Sequence, residues 1–336
     1  MRRLKLTVVL GLLVSATANC WAQSTAIELK FPEGRALQYK HTYRMFYFSN
    51  QAEILFGVQQ AGASYDDEGN ITFNSNFSRG GTFEMDVSGE WESREEVVGL
   101  AEDHPDSLAD VTRIKATILK ADSRAVLAGK RLSFEQYPDN FEKFKGREFS
   151  WFVNSKGEIS NFEPEFYAYR LGREDLVTDL FLAWVPEYSL TLPDKPVSEG
   201  DTWEGEGAFK RRIEYRRLRN QDVFLNYKSS YRVKKIKTSK EKIEVEIEEE
   251  REIFYKGWID VANASFVVDG KGTGTGKWVI DATRGLVLEH KVKFDINRPK
   301  VMTGFINAEG NLAEIPDMVA EVKVNFERKL KKIERE

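Results

Sequence analysis

Apolar and polar residues alternate with a period of two along most of the chain. Lys242 to Ile247 reads KIEVEI, with Ile243, Val245 and Ile247 on one face and Glu244 and Glu246 on the other. No apolar stripe at spacings of three and four accompanies it, so the segment predicts a strand with one buried and one wet face. Ser229 to Ile236, Arg113 to Leu119 and Val319 to Phe326 behave likewise. Short alternating runs divided by Gly, Asn-Ser and Thr-Ser turns predict antiparallel sheet. The expected fold class is mainly β, in curved half-barrel or sandwich-like units.

The clearest helical period lies in Arg173 to Val185. Leu176, Val177, Leu180, Phe181 and Trp184 make its apolar stripe, Glu174 and Asp175 occupy the first turn where the helix dipole favours acids, and Pro186 stops it. Docking on a sheet is the plain role; a lid over a ligand cavity is the functional one.

Two internal echoes suggest duplication. Trp151-Phe-Val-Asn-Ser-Lys-Gly157-Glu-Ile159 aligns with Trp278-Val-Ile-Asp-Ala-Thr-Arg-Gly285-Leu-Val287, with one extra turn residue, and Phe31-Pro-Glu-Gly34 echoes Val197-Ser-Glu-Gly200. The expected organisation is a leader over 1–22, a first β-unit over 24–188 that includes helix 173–185, and a second over 189–336. The junction Leu190 to Trp203, LTLPDKPVSEGDTW, has two prolines and a Glu-Gly-Asp turn before a strand opened by Trp203. This link into V-x-x-G-D-T-W, with the later Trp-to-Gly hairpin, is similar to exported bacterial β-rich proteins. The wider plan resembles the half-barrel carriers and binders of lipids and lipoproteins, which implies shelter for an apolar ligand.

Asp269 to Trp278, DGKGTGTGKW, raises the question of a phosphate loop. A P-loop requires Gly at the first of eight positions and Ser or Thr after the Lys; here Lys271 and Trp278 stand there. A dinucleotide fingerprint opens a helix, whereas this run leads into the strand Trp278-Val-Ile. Parity explains it better: Gly270, Gly272, Gly274 and Gly276 share a face with Trp278, and Lys271, Thr273, Thr275 and Lys277 share the other. Four successive bare positions mark a bend or the close approach of another body. That body is expected to be an aromatic neighbour, the 173–185 helix or an apolar ligand. Gly270, Gly272, Gly274, Gly276, Trp278, Leu180, Phe181 and Trp184 are the candidate ligand-binding residues.

The N-terminus changes the picture. Arg2, Arg3 and Lys5 precede the apolar run Leu6 to Ala16, and small residues follow at Ala16, Ala18 and Ala22. This predicts a secretory signal cleaved after Ala18 or Ala22; the run is too short for a transmembrane helix, and no later stretch suffices. The periplasm is the expected compartment. Cys20, the one cysteine, is a poor match to a lipidated N-terminus because Asn19 precedes it, so lipid anchoring is the alternative. Losing Arg2, Arg3 and Lys5 takes the net charge from −4 to −7, which argues against nucleic acid as partner.

Catalytic and metal chemistry find little support. His41, His104 and His290 show no metal-ligand spacing, and no G-x-S-x-G elbow is present. Asp66 to Asn70 lacks the full calcium-loop pattern, and carboxylates such as Glu244, Glu246 and Glu248 belong to solvated strand faces. A hydrolase would need His41 or His290 to meet carboxylates in a cleft. No enzyme activity, cofactor or metal is therefore expected. Phe209 to Arg219 carries Lys210, Arg211, Arg212, Arg216, Arg217 and Arg219. A charge-defended edge strand is the plain reading, and contact with anionic envelope material the functional one. Two expectations result: an exported non-enzymatic binder of an apolar or lipid-like ligand, or a structural component assembled with an envelope protein partner.

Overall fold

The computed structural model describes residues 24–49, 64–65, 71–72, 83–100, 111–129, 133–134, 145–163, 189–213, 221–261, 264–297, 304–306, 312–314 and 320–335. The leader, Cys20, His104, the Asp66–Asn70 loop and the expected helix at 173–185 lie outside them.

Every element among the described residues is a strand: β1 (Ala36–Ser49), β2 (Ser64–Tyr65), β3 (Ile71–Thr72), β4 (Phe83–Leu100), β5 (Thr112–Gly129), β6 (Ser133–Phe134), β7 (Glu148–Val153), β8 (Ile159–Glu163), β9 (Thr202–Ile213), β10 (Gln221–Thr238), β11 (Ile243–Val261), β12 (Ala264–Asp281), β13 (Leu286–Asn297), β14 (Gly304–Ile306), β15 (Leu312–Glu314) and β16 (Ala320–Arg335). Fourteen form one antiparallel sheet in the order β8-β7-β5-β4-β1-β16-β13-β12-β11-β10-β9, with β6, β14 and β15 as short additions. Among the described residues β8 and β9 end the sheet and do not pair with each other, so it stays unclosed.

The period-two pattern sets the faces. In β11 Val245 and Ile247 are fully buried, while Glu246 on the opposite face pairs with Lys277 of the adjacent strand at 3.0 Å. Across that wet face, cross-strand ion pairs such as Lys40–Glu90 and Arg44–Asp86, both at 2.7 Å, continue the ladder. Each exposed pair contributes little, but opposite charges in register disfavour alternative pairings.

The apolar face is concave. β7 and β12 are six places apart in the sheet, about 29 Å if it were flat at 4.8 Å per strand. Yet Trp151 of β7 and Trp278 of β12 line the same cavity, with Leu29 and Leu190 between them. Bending the sheet lets two extended segments fill its interior at one end. Thr25 and Val197 exchange backbone hydrogen bonds of 2.8 and 2.9 Å, and Leu29 N donates to Ser155 O while Lys30 N donates to Gly285 O. Ile27, Leu29, Leu190, Leu192 and Val197 thus join Val245, Ile247, Trp278 and Ile280 in one core.

The sequence echoes have counterparts in hydrogen bonding. Gly34 N donates to Val97 O, and Val97 N to Arg35 O; Gly200 N donates to Val233 O, and Val233 N to Asp201 O. Both glycines have positive φ, 77° and 90°, which an L side chain resists. The Trp151 and Trp278 hairpins also match. Asn154 Oδ1 accepts from Lys156 N and Glu158 N in one turn, and Asp281 Oδ1 from Thr283 N and Arg284 N in the other. Two meanders, β1-β4-β5-β7-β8 and β9-β10-β11-β12-β13, accordingly follow the same order within the sheet. β16 lies between them, paired to β1 on one side and β13 on the other.

Candidate functional site: the concave face

The glycine row lies where parity puts it, on the concave face of β12 with Trp278, while Lys271, Thr273 and Thr275 are exposed. Gly274 and Gly276 are filled from neighbouring strands. A methyl group added at Gly274 would overlap the ring edge of Phe294 and come within 2.9 Å of Lys293 O. One added at Gly276 would come within 2.6 Å of a Glu249 carboxylate oxygen. The same device recurs at β9, where Thr191 lies over Gly205 and Tyr227 over Gly207. At these positions bare backbone makes room for the protein's own side chains.

Those side chains include a buried ion pair. Glu249 and Arg251 are 2% and 3% exposed and lie 2.6 Å apart. Ser229 Oγ and Trp278 Nε1 donate to the two oxygens of Glu249 at 2.7 and 2.8 Å. Arg251 donates to Ser189 O at 2.9 Å and lies over the Tyr227 ring, 4.5 Å from its centroid. Burial opposes the Arg251 charge, but the Glu249 carboxylate beside it outweighs burial and keeps the guanidinium protonated. The pair was legible in the sequence. Glu249 and Arg251 continue the odd-numbered face of Val245 and Ile247, whereas Glu244, Glu246 and Glu248 belong to the wet one.

The two histidines in strands flank one arginine. Register places Trp91 beside His41, His41 beside Arg328, Arg328 beside His290, and His290 beside Trp278. His41 stacks on Trp91 with ring centroids 4.4 Å apart, and His290 on Trp278 at 3.5 Å. Burial holds both imidazoles well below their ordinary pKa, helped by Arg328 at His41 and by Arg251 and Arg328 at His290. They are neutral inside the sheet. His41 Nε2 lies 2.8 Å from Ser93 Oγ, and Ser93 donates to Glu95, itself paired with Arg328. Burial raises the Glu95 carboxyl above its usual range despite the opposing charge of Arg328. His41 thus meets a carboxylate-bearing cluster, and His41, Ser93 and Glu95 are at most 5% exposed. Among the described residues neither ring nitrogen of His290 has a hydrogen-bond partner. Among the described residues no group of three or more His, Cys, Asp or Glu is arranged to hold a metal.

The closed end offers little space. Its apolar cavity between Leu29, Trp151, Leu190 and Trp278 holds about 70 Å³, room for one or two waters. A larger open groove, about 1000 Å³, crosses β9 to β13 but is polar, lined by residues such as Glu204, Glu206, Lys228, Glu250 and Lys293. Of the other candidate residues, Leu180, Phe181, Trp184, Arg216, Arg217 and Arg219 lie outside the described residues. Lys210, Arg211 and Arg212 fall on β9, the strand that ends the sheet. No helix among the described residues is long and apolar enough to cross a membrane.

No family model matches the chain, and no curated protein matches it. Among solved structures the chain is similar to one titled "Lipid-protein interactions in lipovitellin", at 11% identity and a TM-score of 0.46, over 91% of this chain and 26% of that one. The chain spans about a quarter of that protein's length.

Proposed function

We propose that the protein is an exported, non-catalytic binder that shelters apolar or lipid-like molecules in the bacterial cell envelope. The supporting observation is that the apolar alternation of the concave face runs on past the closed end. By strand register, Val87, Met85 and Phe83 of β4 and Val324 and Val322 of β16 share the face that Trp91 and Phe326 occupy lower down. Tyr255 and Ile259 of β11, with Val268 and Phe266 of β12, continue the face of Ile253. No charged residue falls on that face in these stretches of β4, β16, β11 and β12. From Ile253 to Val261 the strand extends about 27 Å, close to the hydrocarbon thickness of a bilayer. The export signal read in the first 22 residues puts such a face within reach of envelope lipids.

Native mass spectrometry and solvent extraction of the purified protein test this. Retained lipid, lost on replacing Val87 and Phe266 by Asp, is the expected result. Protein that carries no lipid and shows no saturable binding of a fluorescent fatty-acid probe would refute the reading. A second reading, a component of an envelope protein assembly, draws support from the β9 edge with its Lys210, Arg211 and Arg212. Capture of a specific envelope protein that depends on those side chains would favour it.

A further inference from the structure

The two meanders differ at one place. In the first, the strand that follows the Gly34 turn, β1, has both sides paired, with β4 and with β16 running antiparallel to it. In the second, the strand that follows the Gly200 turn, β9, pairs only with β10 among the described strands. The fold thus shows an antiparallel strand seated on β1 and leaves the equivalent side of β9 as the sheet's end. Glu204, Glu206 and Ala208 on its wet face are exposed.

The charges along β9 select what fits there. Glu204 and Glu206 occupy one half of the strand, Lys210 and Arg212 the other, all with the same parity, and Ala208 is the midpoint between them. This edge carries both signs, arranged about a centre. When a strand of this pattern meets a copy of itself antiparallel about Ala208, Glu206 falls opposite Lys210 and Glu204 opposite Arg212. The two-fold axis makes each pairing twice, giving four opposite-charge cross-strand pairs. A parallel alignment in register would instead set like against like.

We propose that β9 is a dimerisation edge, which pairs antiparallel with β9 of a second copy about a two-fold axis through Ala208 and joins two sheets into one. The inference is independent of the apolar-ligand reading, because it uses the edge of the sheet and not its concave face.

Sedimentation velocity of the purified protein tests it. The wild type is expected to form a dimer in the range of about 10–50 µM, typical of specific but modest interfaces. Glu204→Lys with Glu206→Lys gives an all-basic edge, and Lys210→Glu with Arg212→Glu an all-acidic one. Each variant alone is expected to dissociate at least about 100-fold more readily. Mixed in equal amounts the two variants regain association as a heterodimer, which also shows that both are folded. Ala208→Cys, with Cys20 replaced by Ser, should oxidise to a covalent dimer, since antiparallel Cα pairs about 4.5–5.5 Å apart lie within disulfide reach. Ser230→Cys, on the adjacent β10, should not. A wild type monomeric up to about 100 µM overturns the proposal. So does a dimer indifferent to both charge reversals, or variants that fail to associate when mixed.

Discussion

Replacing Gly274 by Ala puts the reading of the glycine row to a direct test. In a strand the exchange ordinarily stabilises by about 0.5–1 kcal/mol, because alanine loses less backbone freedom on folding. At Gly274 the added methyl would overlap the Phe294 ring edge and lie 2.9 Å from Lys293 O, a backbone atom that cannot swing away. Phe294 has little freedom to yield, being 5% exposed with the Arg251 guanidinium 5.9 Å from its ring centroid. Overpacking of this kind costs about 1–3 kcal/mol. The steric cost exceeds the propensity gain, and a net loss of about 1–2 kcal/mol is expected.

Urea denaturation read by tryptophan fluorescence measures this as a lowered midpoint with unchanged slope. A double-mutant cycle sharpens it. Phe294→Val alone opens a cavity and destabilises; with Gly274→Ala it leaves space for the new methyl, so the two losses should add to less than their sum by about 1 kcal/mol. Stabilisation by Gly274→Ala, or strict additivity with Phe294→Val, would refute the claim that Phe294 occupies the bare backbone.

Three further outcomes follow from the buried polar groups. Glu249→Gln keeps an acceptor for Trp278 Nε1 but leaves Arg251 without its carboxylate, and is expected to lose about 3–5 kcal/mol in the same assay, whereas Glu248→Gln on the wet face should change stability by less than about 0.5 kcal/mol. His41 and His290 are held neutral, with folded-state pKa values below the ordinary 6.5, so their contribution is fully present above the unfolded value and is lost as pH falls through it. The raised carboxyl of Glu95 acts in the opposite sense, adding stability as pH falls through its folded value. Between pH 6.5 and 5.5 the two histidines are expected to lower stability by up to about 2 kcal/mol, and His41→Phe with His290→Phe, which keeps two flat rings in the stack, should flatten that profile. Because both His290 nitrogens lack partners among the described residues, His290→Phe should not weaken the protein at pH 7.5, as a buried unpaired polar group costs about 1–3 kcal/mol.

Alternation sufficed to read strands, faces and the wet ladder, because one-sided burial imprints a period of two on every strand. It also placed Gly270 to Gly276 and Trp278 on one face. What fills that face was not legible. Phe294 and Glu249 reach Gly274 and Gly276 from strands on either side, and cross-strand neighbours depend on register, which a single strand's pattern does not carry. The echo of Phe31 to Gly34 with Val197 to Gly200 was a faint signal that coincides with a shared local geometry: a positive-φ glycine and a backbone pair to the adjacent strand of the meander. The row of Trp91, His41, Arg328, His290 and Trp278 was hidden for the opposite reason. Its members are scattered over most of the chain, and only the seating of β16 between β1 and β13 brings them together.

That row addresses a problem peculiar to long strands. A slip of one residue turns the apolar face outward and is strongly disfavoured, but a slip of two keeps every face correct. In strands of fourteen to nineteen residues such as β1, β11 and β16, alternation alone leaves two-residue slips close in energy. Arg328 breaks the degeneracy in one direction: in native register it meets Glu95 and lies over Tyr39, whereas a slip of two that sets it opposite Tyr43 would bring it level with Gly89, between Val87 and Trp91, which offer no carboxylate. Replacing Arg328 and Glu95 together by Met should therefore leave overall stability nearly unchanged, since a buried ion pair exchanged for apolar groups is often neutral. Register fidelity should fall instead. Arg44 faces Asn325 across β1 and β16, so cysteines at these two positions should crosslink efficiently in the parent, and a cysteine at Glu327 in place of Asn325 should not. In the Met double variant the Arg44–Glu327 crosslink, the signature of the two-residue slip that sets residue 328 opposite Tyr43, is expected to appear. If only the native pair forms there, the buried ions do not set the register and the bulges along β1 and β4 must suffice.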